Sequence, residues 1–228
     1  MGYDGSMRSY GQYCSVAKAL DVIGDRWNLL IVRELLLRGR SRYTDLLNGL
    51  PGVATNLLAD RLRDLEQAGI VSREEAPPPI ATTLFALTDR GRELKAVLRD
   101  LGQWGIPLML EPAGEEAFRS HWLALPVEMF LTDLSPGSPP VTIDLRIGDE
   151  RAHIETADGA VRACPGPAAD PDLVLTGTPQ LVLGLLSGTF DLAEARERGL
   201  ACDGDPAALG RVGLAAPDPV PGALSADG

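Results

Sequence analysis

Hydrophobic residues recur at helical spacing in five segments of the N-terminal half, and this pattern predicts five helices. The segments cover residues 14–24, 27–38, 42–50, 55–68 and 89–106. In the fourth segment Leu58, Leu62 and Leu65 share one face, while the opposite face is polar. Pro51 and Gly52 separate the third segment from the fourth, because proline cannot continue a helix and glycine accepts the backbone angles of a turn. The two segments therefore form a tight helix-turn-helix.

Short polar residues at the predicted helix starts are candidate N-caps, because their side chains can accept a hydrogen bond from the first turn. We expect Asp25, Ser41, Thr55 and Thr88 to cap the second to fifth helices. Gly69 is expected to end the fourth helix.

Two strand-like runs, at residues 70–73 and 83–87, follow the helix-turn-helix. Their connection holds three consecutive prolines, so it is too long and too stiff for a tight hairpin turn. We expect it to project as the wing of a winged helix-turn-helix. A short, polar, Arg-bearing helix face after a tight turn has the shape that enters a DNA major groove.

The C-terminal half alternates apolar and polar residues, which is typical of strands in an antiparallel sheet. Predicted strands cover residues 141–147, 152–156, 160–163, 172–177 and 200–205, and predicted helices cover 118–131, 178–188 and 191–199. The sequence therefore predicts an α+β protein with a winged helix-turn-helix domain at 10–112 and a domain of antiparallel sheet plus helices at 113–213. A flexible leader at 1–9 and a disordered tail at 214–228 complete the predicted organisation.

The net charge of −11 argues at first against a nucleic-acid partner. Residues 1–112 hold 14 basic and 14 acidic side chains, whereas residues 113–228 hold 7 and 18, so the acidity lies in the C-terminal half. Arginines around the helix-turn-helix can still neutralise phosphates locally. No apolar run approaches the length of a membrane span, and three scattered cysteines suggest a reducing cytoplasm.

Five motifs occur in order along the N-terminal half: CSVAKAL (14–20), GDRW (24–27), RYTDL (42–46), LRDLEQAGIV (62–71) and LTDRG (87–91). Together they resemble the HxlR family, bacterial winged-helix transcriptional regulators that bind DNA as homodimers. The resemblance covers about residues 10–108. It implies a dimer built from the first helix and the long helix after the wing, and a groove-reading helix that starts at Thr55.

The candidate DNA-contacting residues are Arg42, Thr44, Thr55, Asn56, Arg61, Arg63 and Arg73. Thr55, Asn56 and Arg63 suit base edges, since Arg pairs with guanine and Asn with adenine in a bidentate way. Arg42, Thr44 and Arg61 suit phosphates, and Arg73 suits the backbone or the minor groove. The alternative for Arg61 and Arg63 is pairing with neighbouring acidic residues of the same helix.

Residues 172–188 and 199–212 resemble the sterol-carrier-protein type of α+β fold, which often encloses an apolar ligand. The candidate walls of such a cavity are Trp122, Met129, Phe130, Leu183 and Leu186. A solid core explains the same apolar stripes, so both interpretations stay open.

Cys14 offers a second way to regulate DNA binding, because cysteines at this place respond to oxidants in some members of the HxlR family. A position near a helix start favours the thiolate, although a buried packing role is also common for cysteine.

Enzymatic chemistry is not expected, since the two histidines, His121 and His153, are isolated in sequence and no phosphate-binding glycine loop follows a strand. No metal or cofactor is expected. The sequence thus predicts a homodimeric, DNA-binding regulator modulated by an apolar small molecule. The alternatives are a thiol-based regulator that senses oxidants or electrophiles through Cys14, or a metabolite- or lipid-binding protein that does not bind DNA.

Overall fold

The computed structural model describes residues 9–76, 82–109 and 116–215. It divides the chain into two units, Met1–Leu108 and Met109–Gly228. The proline-rich centre of the predicted wing, the predicted domain boundary at 112, and most of the predicted leader and tail lie outside the described residues. None of the helices in the described ranges combines the length and the apolar character that crossing a membrane requires.

The N-terminal unit contains the five predicted helices. They are α1 (Ser15–Ile23), α2 (Asn28–Arg38), α3 (Tyr43–Gly49), α4 (Thr55–Gln67) and α5 (Asp89–Gly105). A short 3-10 helix, Ile106–Met109, follows α5. Buried leucines of α4 meet Ile31, Val32 and Leu35 of α2 in one core, which confirms the apolar faces predicted from the spacing.

A small antiparallel sheet supports the helix-turn-helix. Its strands are β1 (Ser41–Arg42), β2 (Val71–Glu75) and β3 (Thr83–Leu87), with β3 in the centre. Val71 pairs with Leu87 and Ser41 with Phe85, so the hairpin is joined to the chain segment that enters α3. This arrangement is a winged helix-turn-helix.

Three of the four predicted N-caps are wrong. Ser41 lies in β1, buried, and its hydroxyl donates to the Gly39 carbonyl. Thr55 is the first residue of α4 and follows the actual cap, Ala54. The Asp25 side chain binds Arg61, and α2 starts after Trp27 instead. The Asp25 side chain has its partner 36 positions away, and the backbone pairing of Ser41 with Phe85 keeps the chain extended at the expected cap.

Thr88 does cap α5, as predicted. Its hydroxyl oxygen accepts the Gly91 N–H at 3.0 Å and donates to the Gly69 carbonyl at 2.7 Å. The cap therefore also joins the start of α5 to the end of α4, where Gly69 has a positive φ of 70°.

The C-terminal unit is built on a five-stranded sheet in the order β7-β6-β5-β8-β9. The strands are β5 (Thr142–Ile147), β6 (Glu150–Ala157), β7 (Ala160–Pro165), β8 (Leu173–Gly177) and β9 (Ala201–Gly204). A second, two-stranded sheet pairs β4 (Leu131–Asp133) with β10 (Val212–Leu214).

The prediction of a purely antiparallel sheet is wrong, because β8 pairs with β5 in parallel. β7 lies at one edge of the sheet, and β8 lies on the far side of β6 and β5. Residues 166–172, which connect β7 to β8, must therefore cross β6 and β5. The crossing is anchored where the Ala168 N–H donates to Asp144 Oδ1 at 2.9 Å. A sequence pattern of period two reveals strands but not this order.

Helices cover one face of the five-stranded sheet. They are a 3-10 helix (Ser120–Leu123), α6 (Ala124–Phe130), α7 (Pro179–Leu186), α8 (Leu192–Glu197) and a second 3-10 helix (Pro206–Arg211). The predicted helix at 118–131 is therefore shorter and starts as a 3-10 turn, while α7 begins as predicted with Thr178 as its cap. Ile143, Leu145 and Leu173 are fully buried on this covered face.

Candidate nucleic-acid interface

The turn between α3 and α4 holds the two helices in a fixed relation. Leu50 and Val53, both buried, anchor the turn, and Gly52 takes the positive φ of 85° that it requires. The Tyr43 hydroxyl donates to the Thr55 carbonyl at 2.5 Å, which joins the start of α3 to the start of α4. Sequence reasoning missed this bond, although a tyrosine at the first position of α3 is the residue type that can make it.

The outer face of α4 carries the three candidate base-contacting residues. Thr55, Asn56 and Arg63 are all exposed. Thr55 donates its hydroxyl hydrogen to Asn56 Oδ1 at 3.2 Å. Leu58, Leu62 and Leu65 occupy the opposite face and are at most 2% exposed, so α4 is fixed to the core while its polar side faces solvent.

Arg63 is held by a weak partner. Its Nη1 lies 3.1 Å from Asp60 Oδ1, and both side chains are more than half exposed. An exposed ion pair of this kind contributes about 0.2–1 kcal/mol, which is less than a bidentate contact to a base, about 1–3 kcal/mol. Arg63 can therefore exchange Asp60 for a base edge.

Arg61 is placed differently, because its guanidinium lies between two carboxylates of the same unit. Nη1 is 2.5 Å from Asp25 Oδ2 and 2.9 Å from Asp64 Oδ2, and the side chain is 22% exposed. This geometry favours the intramolecular alternative for Arg61. The residue joins α4 to the turn before α2.

The remaining candidates surround the helix-turn-helix. Arg42 and Thr44 are exposed at the start of α3. Arg73 is exposed on β2 and lies 3.5 Å from Glu75 Oε1. These exposed cations can reach phosphates, whereas Glu74 and Glu75 at the end of β2 add negative charge beside the wing.

Cys14 is exposed and occupies the N-cap position of α1. The backbone N–H groups of Ala17 and Val16 in the first turn of α1 lower the pKa of its thiol below the ordinary value. The predicted alternative of a buried packing residue is therefore wrong, and the site favours the thiolate.

Large apolar side chains are exposed on α1 and around α5. Val16 and Leu20 are 64% and 43% exposed on α1, while Leu101 and Trp104 on α5 are 47% and 72% exposed. Apolar exposure of this extent is typical of interaction surfaces.

The five candidate ligand-contacting residues of the C-terminal unit fall into two groups. Trp122, Met129 and Phe130 are half-buried near β7, since α6 packs on that strand. Leu183 and Leu186 pack on the core from α7, which lies against β8. The β4–β10 ribbon, absent from the sequence prediction, contacts α6 through β4 and α7 through β10.

The comparisons with known proteins concern the N-terminal unit. The family model described as HxlR-like helix-turn-helix matches residues 22–111. An uncharacterized HTH-type transcriptional regulator of Synechocystis sp. is 39% identical over 88 residues, which are 39% of this chain and 64% of that protein. The HTH-type transcriptional regulator YodB of Bacillus subtilis is 34% identical over 86 residues, 38% of this chain and 76% of YodB.

The solved structure of the reduced form of YodB is 31% identical and covers 45% of this chain and all of that chain, with a TM-score of 0.39. The chain thus spans just under two thirds of the Synechocystis protein and about three quarters of YodB. The family match ends at residue 111, close to the division between the two units.

Proposed function

This chain belongs to the HxlR-like helix-turn-helix family of DNA-binding transcriptional regulators, and from that membership we propose that it binds a specific operator in double-stranded DNA as a homodimer. The observation that carries the proposal is the outer face of α4, where Thr55, Asn56 and Arg63 are exposed on a helix that the core holds firmly. A cytoplasmic location is part of the proposal, because the DNA partner lies there.

In this proposal Asn56 and Arg63 read base edges and Thr55 supports Asn56. Arg42, Thr44 and Arg73 contact phosphates, which sets the register of α4 in the groove without reading sequence. Arg61 acts indirectly by holding α4 against the turn before α2.

A selection from random duplexes, followed by binding titrations on the enriched sequence, tests the proposal. We expect Arg63→Ala to weaken operator binding by about 1–3 kcal/mol and to relax specificity at one base pair. Gln67→Ala is the matched control, because Gln67 is exposed at the other end of α4. Equal affinity for all sequences would refute operator recognition, whereas no binding to any duplex would favour a metabolite-binding protein that does not bind DNA.

The homodimer is supported by the exposed apolar residues of α1 and α5. A two-fold axis would bury the same patch on both copies, as in most soluble homodimers. Sedimentation equilibrium of the wild type and of Trp104→Ser tests this step. We expect a dimer for the wild type and a weakened dimer for the variant, and a wild-type monomer at the concentrations of operator binding would refute it.

An apolar small molecule is the proposed effector, with the C-terminal unit as its receptor. The half-buried side chains of Trp122, Met129 and Phe130 support this step, since they present apolar surface that the core does not fully cover. Titration of operator complexes with a panel of apolar compounds tests it. Operator affinity that no compound changes would count against the effector.

A thiol-based input is the second candidate, because Cys14 is exposed and its pKa is lowered. Diamide should weaken operator binding of the wild type and leave that of Cys14→Ser unchanged. Equal loss in both proteins would remove this route.

A further inference from the structure

The polar face of the C-terminal sheet gathers a histidine, a glutamate and a cysteine that lie apart in sequence. His153 and Glu155 alternate with buried residues of β6 and so point to the same side of the sheet. Cys164 on β7 is the direct cross-strand neighbour of His153. The hairpin therefore corrects the expectation that His153 is isolated.

The donor atoms of these three side chains are close enough to share one ion. The His153 nitrogen, the Glu155 oxygen and the Cys164 sulfur all lie within 4.8 Å of one another. His153 Nε2 is 3.3 Å from Glu155 Oε1. Two ligand atoms that each lie about 2.0 Å from a tetrahedral Zn²⁺ are about 3.3 Å apart. The distance between His153 Nε2 and Glu155 Oε1 therefore already fits a shared zinc ion.

The orientation of the imidazole also points to a cation. His153 Nδ1 is 2.9 Å from the Gly166 carbonyl oxygen, which can only accept, so Nδ1 carries the hydrogen. Nε2 then faces the Glu155 carboxylate, so the two groups are placed to bind one ion. A backbone carbonyl on the other ring nitrogen is the usual support of a metal-binding histidine.

We propose that His153, Glu155 and Cys164 form a binding site for a divalent transition metal, with Zn²⁺ as the ion that fits best. Imidazole, carboxylate and thiolate are the ligand types of zinc sites in proteins. Binding converts the Cys164 thiol to a thiolate and releases its proton to solvent. Three protein ligands leave one tetrahedral position for water or a small molecule.

The neighbouring charges leave this site available. Asp144 faces His153 from β5, but both of its carboxylate oxygens are engaged, by the Ala168 N–H and by Arg146 Nε. Arg162 faces Glu155 from β7 and is exposed, so its guanidinium can turn to solvent when the ion binds.

Cobalt titration of the full, reduced chain tests the proposal, because thiolate-bound Co²⁺ absorbs in the near ultraviolet. We expect one Co²⁺ per chain and loss of the band when Zn²⁺ is added. Cys164→Ser should abolish the band, and His153→Gln should weaken binding by about tenfold or more. Cys202→Ser and His121→Gln are the matched controls and should keep the band, since Cys202 pairs with Leu175 on the covered side of the sheet.

A second measurement keeps the test decisive if Cys164→Ser does not fold. Zn²⁺ should slow alkylation of Cys164 in the wild type and leave alkylation of Cys14 unchanged, as measured by peptide mass spectrometry. A wild type without the cobalt band, a band lost in Cys202→Ser, or unprotected Cys164 would overturn the proposal.

Discussion

Glu34 is a buried carboxylate beneath the helix-turn-helix, and its replacement gives a sharp test of how the N-terminal unit is held together. The side chain has no solvent exposure and contacts Arg33 Nη2 at 2.8 Å and Arg38 Nε at 3.1 Å. Burial lowers the pKa of the Arg33 guanidinium, and Glu34 counteracts that effect. Gly49 at the end of α3 lies against the carboxylate so closely that a Cβ there would collide with Oε2.

The expected loss of stability in Glu34→Gln follows from these contacts. Removing one partner of a buried ion pair costs about 3–5 kcal/mol. The lower end applies, because Arg33 and Arg38 are 20% and 34% exposed and can regain water, and because Gln keeps one acceptor. We expect a loss of about 2–3 kcal/mol, which corresponds to roughly 10–20 °C in the melting temperature of a unit of this size.

Urea unfolding followed by hydrogen-exchange mass spectrometry reports the stability of each unit separately. Peptides from α2 and α3 should unfold at lower urea in Glu34→Gln, while peptides from the five-stranded sheet should not change. Glu66→Gln is the matched control, since Glu66 is an exposed glutamate of α4, and it should stay within about 0.5 kcal/mol. Equal unfolding midpoints for Glu34→Gln and the wild type would refute the reasoning.

Three further predictions test other contacts. Arg61→Ala should lower the stability of the N-terminal unit because it removes the ion pair with Asp25, yet it should leave base specificity unchanged. A variant that selects a different DNA sequence from random duplexes would contradict this. Thr88→Ala should cost about 1–2 kcal/mol in urea unfolding by removing the α5 cap, whereas an unchanged midpoint would show that the cap is dispensable. The Arg211 hydrogen bond lowers the pKa of Asp133, so its stabilisation of the C-terminal unit holds above the ordinary aspartate pKa and is lost as pH falls through the lower, folded-state value. In Asp133→Asn, the melting temperature measured against pH should no longer show this loss of stability at acid pH, and an unaltered pH profile would disprove the assignment.

Helix positions were predictable because their signals are local. The spacing of Leu58, Leu62 and Leu65 identified the buried face of α4, and Gly69 marked its end. The cap at Thr88 was predictable for the same reason, whereas Ser41 and Asp25 were misassigned because each has a partner in another element. Local rules fail where pairing with a distant element fixes the conformation or the contacts of the expected cap.

The candidate sites divide in the same way. Alternation already places His153 and Glu155 on one side of β6, and counting back from the turn at Asp158 and Gly159 pairs His153 with Cys164. The signal for this cluster was therefore present in the sequence, but only cross-strand register makes it visible.

The sequence by itself determined the helices of the N-terminal unit, its wing strands and most strands of the C-terminal unit, because periodicity and turn residues act over a few positions. Only the tertiary structure decided that Arg61 pairs inside its unit while Arg63 remains exposed, since Asp25 is 36 positions away. It also decided that β8 enters the sheet in parallel, which no local pattern encodes. Side chains that meet across long chain separations depend on the packing of whole elements, and that packing selects which polar residues remain available for DNA or an ion.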